Sequence, residues 1–169
     1  MANTYTLIEA KTLASSTASV TFTSIPQTFT DLLVKLSVRQ DGANAGLFLR
    51  PNSSTSNLTH RKIIGDSSSA TSDSGSIIFI LCNFSSSTSN TFTNSEVYIP
   101  NYTSSNYKSV SADSVVENNT TSAGLAFVGL IAGLWSDATA ISSLNFVPEG
   151  GGAQFVSGCT FYLYGIKNS

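Results

Sequence analysis

Charge is scarce in this chain. Of its 169 residues only 11% are charged, with 8 basic and 10 acidic side chains for a net charge of −2, where about a quarter is usual for a globular domain. The densest basic cluster is the triplet His60-Arg61-Lys62, so the electrostatic footprint that nucleic-acid binding needs is missing. Histidine occurs once. A Ser-His-Asp triad would have to use His60, and no Gly-x-Ser-x-Gly elbow accompanies it, so His60 reads as a solvated strand-edge residue. Cysteine occurs twice, at Cys82 and Cys159, with no zinc spacing. The pair reads as two buried small hydrophobes, bridged only if their strands are neighbours of suitable geometry.

Long apolar runs are missing too. The longest, residues 123–135, is too short to span a bilayer and is interrupted by Gly124, Gly129 and Gly133. The opening residues carry no basic stretch, and Glu9 and Lys11 break any apolar segment behind them, so no secretory signal is expected. Six N-x-S/T sequons start at Asn52, Asn57, Asn83, Asn101, Asn118 and Asn119. Without a secretory signal they read as by-products of an Asn/Ser/Thr-rich composition.

What the chain has in abundance is hydroxyl. Forty-nine residues are serine or threonine, and they occur in two ways. Some alternate with large apolar residues, as in Ser19-Val20-Thr21-Phe22-Thr23, the signature of a strand with one wet face. Others form runs with nothing to bury, such as residues 67–74, which read as loops. Apolar residues reach 41%, enough with this length for one domain with a real core and against disorder. A surface of Ser, Thr and Asn repels other protein weakly and suits an assembly subunit.

Strand patterns recur over residues 5–14, 19–25, 31–39, 45–50, 60–64, 76–84, 91–99, 108–116, 125–135, 141–147 and 159–166. They predict an all-β fold, a single antiparallel, jelly-roll-like β-sandwich of about eight to eleven strands over residues 1–169. No segment sustains a helical apolar stripe over three turns, although residues 136–141 could hold one short turn of helix. Residues 65–75 and 85–90 read as two flexible polar loops at opposite ends of the strand between them. Two strands break the alternation: residues 77–82 and most of 125–134 are apolar on both faces. In a sandwich the outer face is normally wet. Such a strand needs a cover, supplied either by the chain itself or by another subunit. The low surface charge favours the subunit, which makes Ile78, Ile80 and Cys82 the expected subunit interface.

Constellations for chemistry are thin. Asp113 and Glu117 are the nearest approach to a glycosidase carboxylate pair, four residues apart, and read as solvated strand ends. Asp66 and Asp73 share a polar segment but are a poor ligand set for Ca²⁺. Gly150-Gly151-Gly152 lacks the Lys-Ser/Thr of a phosphate loop and reads as a turn. No catalytic, cofactor-binding or metal-ligating residue is assigned, and the chain is expected not to be an enzyme. Tyr98, Tyr102, Tyr107 and Trp135 could stack on sugar rings. Tyr102 and Tyr107 lie in a polar segment and are the candidate glycan contacts, the alternative being packing of that loop onto the sheet edge.

Four stretches point further: Ser24-Ile25-Pro26-Gln27-Thr28-Phe29-Thr30-Asp31-Leu32-Leu33-Val34, Tyr98-Ile99-Pro100-Asn101-Tyr102, Ile131-Ala132-Gly133-Leu134-Trp135-Ser136 and Cys159-Thr160-Phe161-Tyr162-Leu163-Tyr164-Gly165-Ile166-Lys167. With the opening Tyr5-Thr6-Leu7-Ile8, their order resembles the small β-rich virion structural proteins of tailed phages, especially aquatic and cyanobacterial ones. The resemblance spans almost the whole chain, and its motifs are structural. It implies a place in the virion. One role is a capsid decoration, or cement, protein that contacts the major capsid protein and itself, often as a homotrimer. The other is a tail-fibre or receptor-binding component that recognises host glycan. The absence of heptads or a long shaft repeat favours decoration. Neither role calls for a cofactor, nucleic acid or a membrane.

Overall fold

The alternating segments do pair. The computed structural model describes residues 4–122 and 124–167. Among these residues there are twelve strands and no helix: β1 (Tyr5–Thr12), β2 (Val20–Phe22), β3 (Asp31–Val38), β4 (Gly46–Pro51), β5 (Leu58–Gly65), β6 (Ala70–Gly75), β7 (Ile78–Leu81), β8 (Thr93–Ile99), β9 (Lys108–Val116), β10 (Phe127–Trp135), β11 (Leu144–Pro148) and β12 (Thr160–Ile166). They form two antiparallel sheets in a sandwich-like arrangement. The larger has eight strands in the order β1-β12-β3-β8-β9-β10-β5-β6, and the smaller has four, β2-β11-β4-β7. The chain thus has one strand more than the upper sequence expectation, divided eight and four.

Period-two alternation decides which side chains go inward. Along β9 burial alternates without a break over nine residues, and on β3 Leu32, Val34, Leu36 and Val38 all turn to the core. The two sheets meet through a relay of rings. Phe22 stands edge-on to Phe146 at 6.3 Å, Phe146 lies 5.7 Å from Phe161, and Phe161 stands edge-on to Phe155 at 5.2 Å between centroids. Such offset and T-shaped contacts are the favoured aromatic geometries. Inside the large sheet the Ser95 hydroxyl donates to that of Ser114 at 2.8 Å, which satisfies two buried polar groups across neighbouring strands.

The strand expected to need a partner is covered by its own chain. β7 is an edge strand of the small sheet, yet all four of its residues are buried. Ile78, Ile80 and Cys82 are 0% exposed in the main core, while Phe79 and Leu81 join Val116 and the partly buried Phe48, Ile64, Ile77 and Phe127 in a second cluster. Glycines in β10 make this possible. A Cβ at Gly133 would lie 3.0 Å from Ile78 Cγ2, and one at Gly129 would lie 2.8 Å from Leu81 Cδ1. Bare backbone there lets β7 seat against the large sheet. The expected interface side chains Ile78, Ile80 and Cys82 therefore have no exposed surface to offer, because their own chain buries them.

The loops also differ from expectation. Residues 65–75 are mostly a hairpin, β5 to β6, whose turn is closed by Asp66: its Oδ1 accepts from the Ser68 and Ser69 amides at 2.8 and 2.7 Å. Residues 85–90 are clamped by Arg39, whose guanidinium donates to the carbonyls of Ser87, Thr88 and Thr91. Residues 136–141 are not helical. Asn52 ties the segment that contains them: its Nδ2 donates to the Ala140 carbonyl, and its Oδ1 accepts from the Ser142 and Ser143 amides.

Candidate interaction surface

The small sheet and its loops cover one face of the eight-stranded sheet, and among the described residues no other strand or sheet covers the opposite face. Its side chains follow from the strand registers. One row runs Leu7, Tyr164, Leu33, Tyr98, Ser111, Ala132, Arg61, Ser74 across the sheet, and the next runs Ala10, Tyr162, Lys35, Glu96, Asp113, Leu130, Ile63, Ser72. A third carries Val115 beside Val128. These rows give the face two unlike ends.

At the β1 end Tyr5, Leu33, Lys35, Glu96 and Tyr164 line a groove of about 340 Å³. The Lys35 ammonium bridges Glu96 at 3.1 Å, and that hydrogen bond and charge push the lysine above its ordinary pKa. Tyr98 is fixed by donating its hydroxyl to Asp31 Oδ2 at 2.9 Å. Burial, then the Asp31 bond, push its phenol up.

At the β5–β10–β9 end the face is aliphatic. Leu130 is 65% exposed, Ile63 59%, Val128 58% and Val115 46%. Register places Leu130 opposite Ile63 and Val128 opposite Val115. Four large aliphatics side by side in water are unusual on a protein surface, and patches of this kind are typical of contact sites. They belong to the second of the two segments whose sequence is apolar on both faces, and to its neighbours. Of the two candidate strands only β10 keeps an uncovered outer face.

The residues nominated from sequence fall elsewhere. Tyr102 is 0% exposed, with its hydroxyl donating to the Pro26 carbonyl, so it offers no ring face to a sugar. Tyr107 is 63% exposed, in a turn held by Lys108. The Lys108 ammonium is folded inward and donates to the carbonyls of Ser104 and Asn106 at 2.7 and 2.5 Å; burial lowers its pKa. Trp135 is buried. Asp113 lies in β9 on the outer face, and Glu117 lies just beyond the end of the strand. Asp66 closes its turn, whereas Asp73 on β6 meets Lys62 at 3.3 Å. Among the described residues no three His, Cys, Asp or Glu side chains form a group that could hold a metal ion, and no helix is long and apolar enough to cross a membrane. Cys82 and Cys159 are both free and buried, and burial raises both thiols. Three of the sequons have structural duties, since the Nδ2 groups of Asn52, Asn83 and Asn118 donate to Ala140 O, Thr91 Oγ1 and Leu125 O.

His60 is not a solvated edge residue. It is 4% exposed, with Nδ1 3.0 Å from the Ile77 carbonyl and its ring 5.9 Å from that of Phe79. A carbonyl only accepts, so Nδ1 carries the proton. Lys62 lies over the same phenylalanine, 3.8 Å from the ring centroid. The half-buried Glu149 comes close to the same ring, since a Cβ on Gly46 would meet both Glu149 Oε2 and Phe79. Burial pushes the Glu149 carboxyl above its usual value, with the Lys62 charge pulling part of the way back. The folded protein then holds this proton more tightly than the unfolded chain. Its contribution to stability is complete below the unfolded value of about 4.5 and is lost as pH rises through the raised folded value. Glu149→Gln is therefore expected to match the wild-type melting temperature near pH 4 and to exceed it at pH 7. Thermal melts across that range check this, and a variant less stable at pH 7 would mean that attraction to Lys62 outweighs the burial cost.

Comparison with family models, with curated proteins and with solved structures finds no match to this chain.

Proposed function

We propose that the protein is a non-enzymatic virion structural subunit of a tailed phage, a decoration protein that adheres to the outer capsid lattice. The observation that carries the reading is the bare outer face of the eight-stranded sheet with its exposed aliphatic end. The motif resemblance described above and the low charge support it. A protein that binds only the assembled shell stabilises that shell by mass action. With so few charges, the contact depends on apolar burial and on Ser, Thr and Asn hydrogen bonds, which salt screens little. Quantitative mass spectrometry of purified particles, scaled to the major capsid protein, tests the role: hundreds of copies are expected, and a dozen or fewer would move the protein to the tail. Retention on particles should also change little between about 0.1 and 1 M salt; steep release would contradict the apolar contact.

The second reading, a glycan-binding module of a tail appendage, rests on the groove between Tyr5 and Tyr164, where flat rings flank an ion pair able to donate and accept. It passes from Tyr102 to these residues, and glycan-array binding abolished by Tyr164→Ala would favour it.

A further inference from the structure

We propose that this chain self-associates about a two-fold axis at the β5–β10–β9 end of its outer sheet face, with Arg61 of each copy meeting Asp113 of the other. In register, Arg61 lies opposite Ala132 and Asp113 opposite Leu130, while Leu130 faces Ile63. Arg61 and Asp113 thus stand at opposite corners of a patch whose other corners are Ser111 and Ile63. Strand spacing and rise put the Cα atoms of those corners about 12 Å apart, and among the described residues the two side chains form no ion pair. The Arg61 guanidinium instead leans back on the His60 carbonyl at 3.2 Å. Asp113 lies opposite Glu96, a like-charge pair that is unfavourable on a sheet surface, and the nearby Lys35 is engaged by Glu96. Among the described residues Asp113 has no cationic partner.

A second copy supplies it. A two-fold axis lying in the plane of contact and bisecting the line from Arg61 to Asp113 at right angles exchanges their positions, so both ion pairs form at once. The same axis passes close to Leu130 and Ile63, which then pack against their own images. A positive corner, an aliphatic centre and a negative corner make the patch its own complement, as an isologous interface requires. The groove of about 780 Å³ lined by Arg61, Ile63, Ser72, Asp113 and Leu130 gives the opposing side chains room to interdigitate. Arginine, with its planar fork, is the cation best suited to a carboxylate at such a contact. This association needs nothing but the protein itself, and it takes the aliphatic end of the outer face while leaving the β1-β12-β3-β8 end to the capsid contact proposed above.

Sedimentation velocity on the purified chain at about 1–100 µM, in low salt, tests it. The wild type is expected to form a dimer, and Leu130→Lys to abolish it. Arg61→Asp and Asp113→Arg should each weaken dimerisation at least about tenfold, a single close charge pair being able to supply that much. The double variant Arg61→Asp/Asp113→Arg should return to within a few-fold of wild type. These side chains are exposed, so unchanged circular dichroism and melting confirm that each variant folds. A monomeric or trimeric wild type overturns the proposal, as does a double variant no tighter than the singles. A wild type that is monomeric alone but held on particles through Leu130 would give the patch to a lattice partner and overturn it equally.

Discussion

Phe161→Ala will remove about 3–5 kcal/mol of stability, the range for losing a fully buried aromatic ring. Phe161 is 0% exposed and projects from β12 into the space between the sheets, where it touches Phe146 of the small sheet and Phe155 of the preceding loop. The neighbouring strands are fixed by backbone ladders on both sides of β12, so they cannot collapse into the gap. Domains of this size have about 5–15 kcal/mol in total, and a melting point moves about 2–4 °C per kcal/mol. The expected fall is thus roughly 6–20 °C, measurable by calorimetry. Leu130→Ala on the outer face is the control and should stay within about 0.5 kcal/mol in the dilute monomer. A Phe161→Ala loss below about 1 kcal/mol would show that the sheets are not held together through this ring.

Arg39→Ala will cost about 3 kcal/mol and will free residues 85–91 before any other part of the chain. The guanidinium donates to Thr88 O at 2.7 Å, Ser87 O at 2.9 Å and Thr91 O at 3.2 Å; a bond from a charged donor contributes about 1.5–3 kcal/mol net when buried, and these are exposed or only partly buried, so their sum lies near the low end. The Arg39 backbone is anchored on the opposite side, its carbonyl accepting from the Val156 amide at 3.1 Å. The side chain therefore adds to the isolated backbone bridges, Arg39 with Asn83 and Gln40 with Phe155, that link these two loops. Arg39→Lys keeps the charge but loses the planar fork, and it should recover less than half of the loss. Hydrogen exchange reads the outcome directly: amides of 85–91 lose protection while β8 and β9 keep theirs. Unchanged protection in that loop would remove Arg39 from the role of clamp.

Most of the strands were legible in the sequence, and the failures have physical causes. β3 and β9 announce themselves because one face is buried and the other wet, so alternation records the fold directly. β6 is invisible by the same logic. Its residues are mostly exposed on both faces, and nothing apolar marks the hairpin whose turn Asp66 closes. β7 was readable as a strand but misleading about its surroundings. A strand buried on both sides by its own chain and one covered by a partner have the same composition, and only the glycines at 129 and 133 distinguish them. Those glycines had been read as interruptions of an apolar run. The surface patch was half legible, since the two-faced apolarity of 125–134 was plain. Its association with Ile63 and Val115, and with Arg61 and Asp113, depends on register, which a one-residue slip would reverse. Tyr102 misled because a polar neighbourhood in sequence does not reveal an inward-turned ring.

The position of β12 has a consequence for how the chain is made. This strand lies between β1 and β3 and pairs with both, although residues 39–159 separate it from β3 along the sequence. On the ribosome, β1 emerges early and then has no neighbour until nearly all of the chain described here has followed it. β3 meanwhile carries one unpaired edge. Such edges recruit the wrong strands from other nascent chains, and closures between distant segments are slow. Closure of the large sheet at β1-β12-β3 therefore waits until β12 has emerged, and the interval before it is when this protein is most exposed to misassociation.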